Sequence, residues 1–411
     1  MAGPPPMGSS PRPAWPAPTT TSGSELPDPE RNRRMVGCGC YGIAIVFGII
    51  SLFLVFVVVP TAAGIGPQMC AAMCGGAVLA LPAMAVYLTV PRLLDRYDPE
   101  PWYALLMALA WGAFAACGVS AIINSVVGLS IGGHRGELIS AVVSAPIVEE
   151  ASKGTLLLAY LYFLRREFDG VVDGIIYASF CAIGFAGIEN VLYYAQAGMQ
   201  AGGDGFTQTF ILRGLLTPWA HPLYTSMTGI GVGLARESES RVVRWVAPVG
   251  GYAVAVTLHA IWNGTAMLAD GQQHGQALFL FVMLPLWFLF VSAFLVIVIV
   301  LVRRRGRILR NHLVDEVALG HLSQEELDIV ASAFGGVTAY FRKGRPGTEF
   351  VRAVARLALS KWHSSRAMKE KMRTVSMDFI VPLRKKIRTL REQGASPARG
   401  GPPTGPASTR R

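Results

Sequence analysis

The stretch SAPIVEEASKGTLLLAYLYFLRREFD, residues 144–169, decides how the rest of the chain must be organised. It is long and apolar enough to cross a bilayer, yet it carries Glu149, Glu150 and Lys153 close together. Ionisable side chains are costly in hydrocarbon, so these three residues must face other parts of the protein. The stretch therefore predicts a bundle of membrane helices with a polar interior.

Hydrophobic runs recur along the 411-residue chain, which is 52% hydrophobic and only 15% charged. Each run has about 20 residues or more, the length that spans a hydrocarbon core of about 30 Å. We predict an all-α fold, a polytopic membrane bundle of about eight transmembrane helices with a small cytoplasmic helical tail. The predicted spans are 36–60, 68–91, 102–129, 139–164, 171–195, 214–235, 246–268 and 276–302.

Lys and Arg residues in the connections predict the orientation of the bundle, because positive loops stay on the cytoplasmic side. Arginines precede the first predicted span and follow the second, fourth, sixth and eighth. The alternate connections hold few, with Arg135 and Arg213 as the exceptions. We therefore predict a multi-pass protein of the bacterial plasma membrane with both termini in the cytoplasm.

Composition divides the chain into four regions. The first is rich in Pro and Ser and the last in Gly and Pro, which is typical of disordered segments. The predicted regions are a disordered cytoplasmic leader (1–34), a membrane-embedded domain (35–302), a basic cytoplasmic helical region (303–393) and a disordered tail (394–411).

The net charge of +11 is concentrated at the carboxyl-terminal end, where residues 303–411 hold 23 Lys and Arg against 9 Asp and Glu. A basic segment directly after a span predicts contact with anionic lipid, and nucleic acid is not expected as a partner. Ser323 and Glu326 have the spacing of a capping box, which predicts that a helix begins there.

Ionisable residues inside the predicted spans lie at a common depth. Counted from the cytoplasmic ends at about 1.5 Å per residue, Glu150, Glu189, His221 and His259 fall within a slab less than about 10 Å thick. Pro218 and Pro222 bracket His221, and their missing amides predict a break in that helix. A polar group of this kind within a membrane is a functional site by default.

Lys153 lies four residues after Glu149 and three after Glu150, so all three share one face of a helix. Its ammonium can compensate one carboxylate, and the other is then a candidate acid or base. Spacing does not distinguish the two glutamates, and Glu150 is a slight preference. Lys153 is interpreted as the cation that separates their roles.

Two hydrolytic mechanisms fit these residue types. Glu189, His221 and His259 are an ordinary ligand shell for zinc, with a further glutamate left as general base. Without a metal, a glutamate can activate water while His and Asn263 donate hydrogen bonds to the oxyanion. Asn263 shares a helix face with His259. Both mechanisms hydrolyse a peptide bond within the membrane, and the sequence leaves the presence of zinc open.

Two other classes of protein use similar residues. An ion- or proton-coupled membrane transporter also places Glu, His and Lys at the midplane, but it predicts inverted repeats and paired broken helices. Only one candidate break is found here, at residues 218–222. A receptor or scaffold is the third class, and it predicts that the intramembrane carboxylates are dispensable.

The chain resembles the PrsW family of intramembrane proteases, within the wider superfamily of CAAX prenyl endopeptidases and bacteriocin-processing enzymes. The resemblance covers roughly residues 75–300. The matching stretches are RYDPEPW (96–102), PIVEEASKG (146–154), DGIIYASFCAIGFAGIENVLYY (173–194), HPLYTSMTGIGVG (221–233) and LHAIWNG (258–264).

This resemblance implies an intramembrane endopeptidase that cleaves a membrane-protein substrate such as an anti-sigma factor, on the extracytoplasmic side. The family has been described both as a metalloprotease and as a glutamate-type protease. The residues to which the resemblance assigns the site are the acidic pair Glu149 and Glu150, then Glu189, His221 and His259, with Asn263 at the oxyanion side.

Overall fold

The computed structural model describes residues 29–94, 100–165, 167–269, 275–332, 334–369 and 380–399. Within these ranges the chain forms helices and no strand, so the predicted all-α class is confirmed. Residues 1–28 of the predicted leader, 400–411 of the predicted tail and 96–99 of the RYDPEPW stretch lie outside the described residues.

Sixteen helices follow one another along the described residues. They are α1 (Pro29–Phe53), α2 (Val59–Ala62), α3 (Gly66–Tyr87), α4 (Thr89–Leu94), α5 (Trp102–Ala110), α6 (Cys117–Ile131), α7 (Gly133–Ile139), α8 (Ala145–Phe163), α9 (Val171–Thr209), α10 (Ala220–Glu237), α11 (Arg241–Ala269), α12 (Gly275–Leu278), α13 (Leu284–Ala318), α14 (Gln324–Ala331), α15 (Gly335–Lys369) and α16 (Ile380–Glu392). Short π-helical segments lie at Leu54–Val58, Trp111–Ala116, Ser140–Ser144, Phe210–Leu216 and Phe279–Met283.

Six helices in the described residues are long and apolar enough to cross a membrane. One of them, Val171–Glu237, is a run of 67 residues that contains two of the predicted spans. Ala201 and Gly202 leave the helical conformation within it, so the chain can turn back there. Helix α8 is not among the six, and it carries three charged residues. The number of eight spans stays a prediction.

The described residues include parts of both segments that are predicted to be disordered. Helix α1 begins at Pro29, so the last six residues of the predicted 1–34 leader are helical. At the other end, Ala395 is buried, and Ser396 Oγ donates a hydrogen bond to Glu326. Packing against the tail core therefore orders residues that composition alone assigned to the 394–411 tail.

Helices α9 and α10 touch through a pair of glycines. A Cβ on Gly174 would lie 2.2 Å from the carbonyl oxygen of Gly229, and a Cβ on Gly229 would lie 2.3 Å from that of Gly174. Membrane helices approach closely where such small residues face each other, because lipid supplies no hydrophobic drive for association. The crossing brings Glu189 on α9 and His221 on α10 to the same region.

Helix α8 is held by side chains from its neighbours that bind its backbone. Trp111 Nε1 donates to the carbonyl oxygen of Ser152 at 2.9 Å, and the Tyr252 hydroxyl donates to that of Ile147 at 2.9 Å. Such hydrogen bonds stabilise helix packing inside a membrane, because no water competes for the polar groups there. They lie on either side of Glu149 and Glu150 and fix the rotation of α8.

The tail helices α14, α15 and α16 pack on the end of α13 around a core that includes Leu309, Leu313 and Phe350. The capping box predicted for α14 is present, since the Glu326 amide donates to Ser323 Oγ at 3.1 Å and the Ser323 amide donates to Glu326 Oε2 at 2.8 Å. The basic tail is therefore a folded module.

Ion pairs join this module to the membrane-embedded domain. Arg304 contacts Glu237, at the end of α10, at 2.6 Å, and His363 contacts Asp169, in the loop before α9, at 3.4 Å. The ends of α8 and α10 and the beginning of α9 therefore lie on the same side of the bundle as the tail. The arginine pattern of the sequence predicts that these helix ends and the tail lie on one side of the membrane, the cytoplasmic side.

Glu316 is the charged centre of the tail module, past the arginine cluster that ends the last predicted span. It is fully buried, and it accepts hydrogen bonds from Arg384, Lys361 and His321. Burial opposes its ionisation, but these hydrogen bonds outweigh burial and lower the pKa of Glu316 to about 2. The tail module therefore stabilises the ionised form of Glu316.

We expect Glu316→Gln to destabilise the tail module, because Arg384, Lys361 and His321 lose the buried carboxylate that accepts their hydrogen bonds. Folding lowers the pKa of Glu316 from its usual value of 4.5. The ionised carboxylate therefore contributes its full stabilisation above pH 4.5, and this contribution is lost as the pH falls toward 2. The advantage over the variant should therefore be full at pH 7 and shrink below about pH 4.5. The protease resistance of the tail, compared between wild type and variant at each pH, measures this difference.

The matched control is Glu349→Gln, which removes a carboxylate whose pair with Lys386 is half exposed. Exposed pairs contribute about 0–1 kcal/mol, so this variant should resist proteolysis like the wild type. Equal resistance of the Glu316→Gln and Glu349→Gln variants at pH 7 would contradict the central role of Glu316.

Candidate active site

The site is organised around the ammonium of Lys153, which is fully buried. Lys153 Nζ lies 2.9 Å from Glu150 Oε1, 3.5 Å from Glu149 Oε2 and 3.1 Å from His221 Nδ1. Its other neighbour is the face of Phe185, whose ring centre is 3.9 Å away. The predicted compensation of one carboxylate is present, and the structure assigns the shorter contact to Glu150.

Glu150 is bonded by donors from three helices. Its Oε1 accepts from Lys153 and from His259 Nδ1 at 3.2 Å, and its Oε2 accepts from the Thr225 hydroxyl at 2.8 Å. The residue has no exposed surface. A carboxylate held this way is an anchor for its neighbours and has little freedom to bind and turn over water.

The two imidazoles have the same arrangement of partners. His221 Nε2 lies 2.8 Å from Glu189 Oε2, and His259 Nδ1 lies 3.2 Å from Glu150 Oε1. Because an ionised carboxylate only accepts hydrogen bonds, these nitrogens carry the hydrogens. In the neutral rings, His221 Nδ1 and His259 Nε2 are therefore the nitrogens that carry a lone pair, and that of His221 accepts a hydrogen bond from Lys153.

Glu149 lies beside the two imidazoles. Its Oε2 lies 3.9 Å from His259 Nε2, and Glu149, His221 and His259 each offer one ligand atom within 4.8 Å of the others. All three are buried in the described part of the chain. The zinc set predicted from the sequence, Glu189, His221 and His259, thus differs at one position from the group that the structure brings together. Glu189 instead binds the far nitrogen of His221.

This group fits a hydrolytic metal ion in donor type. Two imidazoles and one carboxylate are a common ligand set for catalytic zinc. Ligand histidines usually donate their second nitrogen to a carboxylate, as His221 does to Glu189 and His259 does to Glu150. Glu149, His221 and His259 are therefore the residues that could hold a metal.

Asn263 contacts the backbone of a neighbouring helix. Its Nδ2 donates to the carbonyl oxygen of Ala141 at 2.8 Å, within the π-helical segment that precedes α8. A π-helical turn widens the helix and leaves carbonyl groups for outside donors. Asn263 therefore ties α11 to the segment before α8, and its predicted oxyanion role stays a prediction.

Two residues of the site were not predicted from the sequence. Arg213 donates hydrogen bonds to Glu189 and to Asn190 Oδ1, and it stacks on Tyr193 at 3.8 Å. Arg213 lies in a connection that the orientation rule expects to hold few positive charges, and this exception could have indicated its role. The second residue is Thr225, which donates a hydrogen bond to Glu150. It follows His221 by one helical turn, and this spacing could have indicated that it faces the site.

The structure brings the predicted site residues to neighbouring positions on α8, α9, α10 and α11, with Glu189 and Asn263 half-buried and the others buried. The break predicted around Pro218 is also present, since helix α10 begins at Ala220 after a turn. The predicted residues brought together by direct contacts are Glu149, Glu150, Lys153, Glu189, His221 and His259, with Asn263 attached to the adjoining segment.

A helical membrane bundle with two imidazoles and paired carboxylates in its interior has the features of an intramembrane hydrolase. A family model for the PrsW family intramembrane metalloproteases matches residues 100–304. The chain belongs to this PrsW family of peptidases. The matched region contains all seven predicted site residues.

Curated relatives agree with the family match. Protease PrsW of Bacillus subtilis is 30% identical over 155 residues, which is 38% of this chain and 66% of the relative. Protease PrsW of Geobacillus kaustophilus is 27% identical over 197 residues, 47% of this chain and 80% of the relative. That of Clostridioides difficile is 36% identical over 103 residues, 25% of this chain and 43% of the relative. No solved structure is significantly similar to the chain.

We expect Arg213→Met to destabilise the bundle, because it leaves the half-buried Glu189 carboxylate without its arginine partner. Breaking one side of a fully buried pair typically costs about 3–5 kcal/mol, so the loss here should be smaller, whereas replacing both charges is often close to neutral. The double variant with Glu189→Gln should therefore regain most of the lost thermal stability in detergent. Additive losses in the double variant would contradict a direct charge pair.

Proposed function

We propose that this protein is an intramembrane endopeptidase that hydrolyses a peptide bond of a membrane-protein substrate with glutamate-activated water. The observation that carries the proposal is the convergence of Glu149, His221 and His259 in a buried site. Each imidazole is oriented by a carboxylate behind it. Membership of the PrsW family supports the same reaction class.

Glu149 is the group proposed to bind the water. Its carboxylate makes only long contacts, 3.5 Å to Lys153 and 3.9 Å to His259, whereas Glu150 is occupied by three donors. Glu149 takes a proton from the water, and the oxygen attacks the carbonyl carbon of the substrate. The carboxyl group then gives this proton to the departing amide nitrogen as the carbon–nitrogen bond breaks. This assignment replaces the slight preference for Glu150.

Lys153 and Glu150 hold the parts in place. Lys153 offsets the charge of Glu150 and also faces Glu149 and His221, so its ammonium keeps two carboxylates tolerable in one buried site. Glu150 in turn fixes the ring of His259 and the hydroxyl of Thr225. Both residues act through the groups that they position.

Zinc, when bound to Glu149, His221 and His259, would supply a Lewis acid that lowers the pKa of bound water. In that case Glu189 and Glu150 would orient the two imidazoles, as they do in the structure. The donor set supports this option beside the metal-free one.

The proposed substrate is a single-span membrane protein, such as an anti-sigma factor or another signalling protein, cut toward the extracytoplasmic side of the bacterial plasma membrane. Both termini of the protease are proposed to be cytoplasmic, which accords with the arginine pattern. The tail module, with its excess of Lys and Arg, is proposed to contact anionic lipid.

We expect Glu149→Gln and His259→Ala to abolish cleavage of a single-span reporter, because each removes a group of the convergent site. The reporter is a tagged bacterial anti-sigma factor reconstituted in vesicles with the purified enzyme, and mass spectrometry of the fragments gives the cut position. Glu137→Gln is the control, since that carboxylate is exposed in α7. Unchanged cleavage by both site variants would contradict the proposed active site.

We expect the purified wild type to bind about one zinc ion per chain and the His259→Ala variant to bind far less, because the variant lacks one of three ligands. Elemental analysis after dialysis measures this ratio. Cleavage that persists after complete metal removal would exclude the metal mechanism and leave water activated by Glu149 alone.

A further inference from the structure

A buried hydroxyl group stands beside the two histidines without a partner. Tyr224 is fully buried on α10, and its hydroxyl has no hydrogen-bond partner among the described residues. Leaving a buried polar group unsatisfied costs about 1–3 kcal/mol. Such a group in a functional site suggests a partner that arrives with the substrate.

The ring of Tyr224 is fixed by the site. It stacks on the His259 ring, with centroids 5.1 Å apart and an angle of 24° between the planes, and it meets the His221 ring edge-on at 6.2 Å. Both candidate ligand imidazoles therefore border the ring that carries the unpartnered group.

The place of Tyr224 near the start of α10 favours a role toward the substrate. Aromatic side chains on a helix lean toward its amino-terminal end, and α10 begins at Ala220 near the predicted outer side. The neighbouring hydroxyl of Thr225 is already donated to Glu150, and the Asn263 amide is donated to Ala141. Tyr224 is thus a hydrogen-bond donor of the site that no group in the described part of the chain uses.

We propose that the Tyr224 hydroxyl donates a hydrogen bond to the carbonyl oxygen of the scissile peptide, which makes Tyr224 a further catalytic residue; the proposal rests on the proposed function. When water adds to the carbonyl carbon, the carbon–oxygen π electrons move onto this oxygen. Tyr224 keeps its proton throughout and stabilises the negative charge. The two carboxylates nearby cannot serve, because ionised carboxylates donate no hydrogen bond.

The test is Tyr224→Phe, which removes the hydroxyl and keeps the ring against His259. On the single-span reporter we expect kcat to fall about 10²-fold, the usual loss for one oxyanion donor, with KM within about twofold. Since the hydroxyl has no partner in the ranges that the structure describes, the variant should melt in detergent at the same temperature as the wild type or higher.

Tyr194→Phe is the matched control. Its hydroxyl is also buried without a partner among the described residues, but its ring packs on Phe206 and Phe210. Removing that hydroxyl should leave kcat unchanged.

Full activity of Tyr224→Phe beside an active wild type would overturn the role of Tyr224 alone. A marked loss of thermal stability in Tyr224→Phe would also overturn it, because the hydroxyl would then have a structural partner. Absence of cleavage by the wild type itself would instead overturn the proposed function and this inference with it.

Discussion

The interaction on which the site depends is the burial of the Lys153 ammonium between Glu150, Glu149 and His221. A lone charge in the hydrocarbon region is expensive, and so is a pair of carboxylates without a cation. Each member of this group therefore needs the others in place before α8 can rest in the bundle. These contacts are therefore needed for the stability of the bundle as well as for the proposed chemistry.

The need to compensate buried charge also applies to the carboxylates that contact the two imidazoles. Glu189 is held by Arg213 and by His221, and Glu150 by Thr225 and His259, so each carboxylate that orients an imidazole has donors of its own. Exchanging any one charge for a neutral group leaves a buried partner uncompensated. Helices α8, α9, α10 and α11 are thereby joined through polar contacts that lipid cannot replace.

Small residues and widened turns make room for these contacts. The glycine pair of α9 and α10 lets the two backbones touch, and the π-helical turns lie next to α8 and α10 where Asn263 and Arg213 are bonded. The tail module is joined to the far side of the bundle by ion pairs with Glu237 and Asp169. It sits by the ends of the helices that carry the site, within reach of any movement in them.

The sequence by itself determined the helical class, and it predicted the site residues and their common depth, because charges inside apolar runs are rare and must meet one another. It also predicted the break at Pro218 and the capping box at Ser323, which are local features. Only the tertiary structure separated Glu149 from Glu150 and exchanged Glu189 for Glu149 in the candidate ligand group. Helix rotation and partners from distant helices, such as Thr225 and Arg213, decide those roles, and residue spacing along one chain does not specify them.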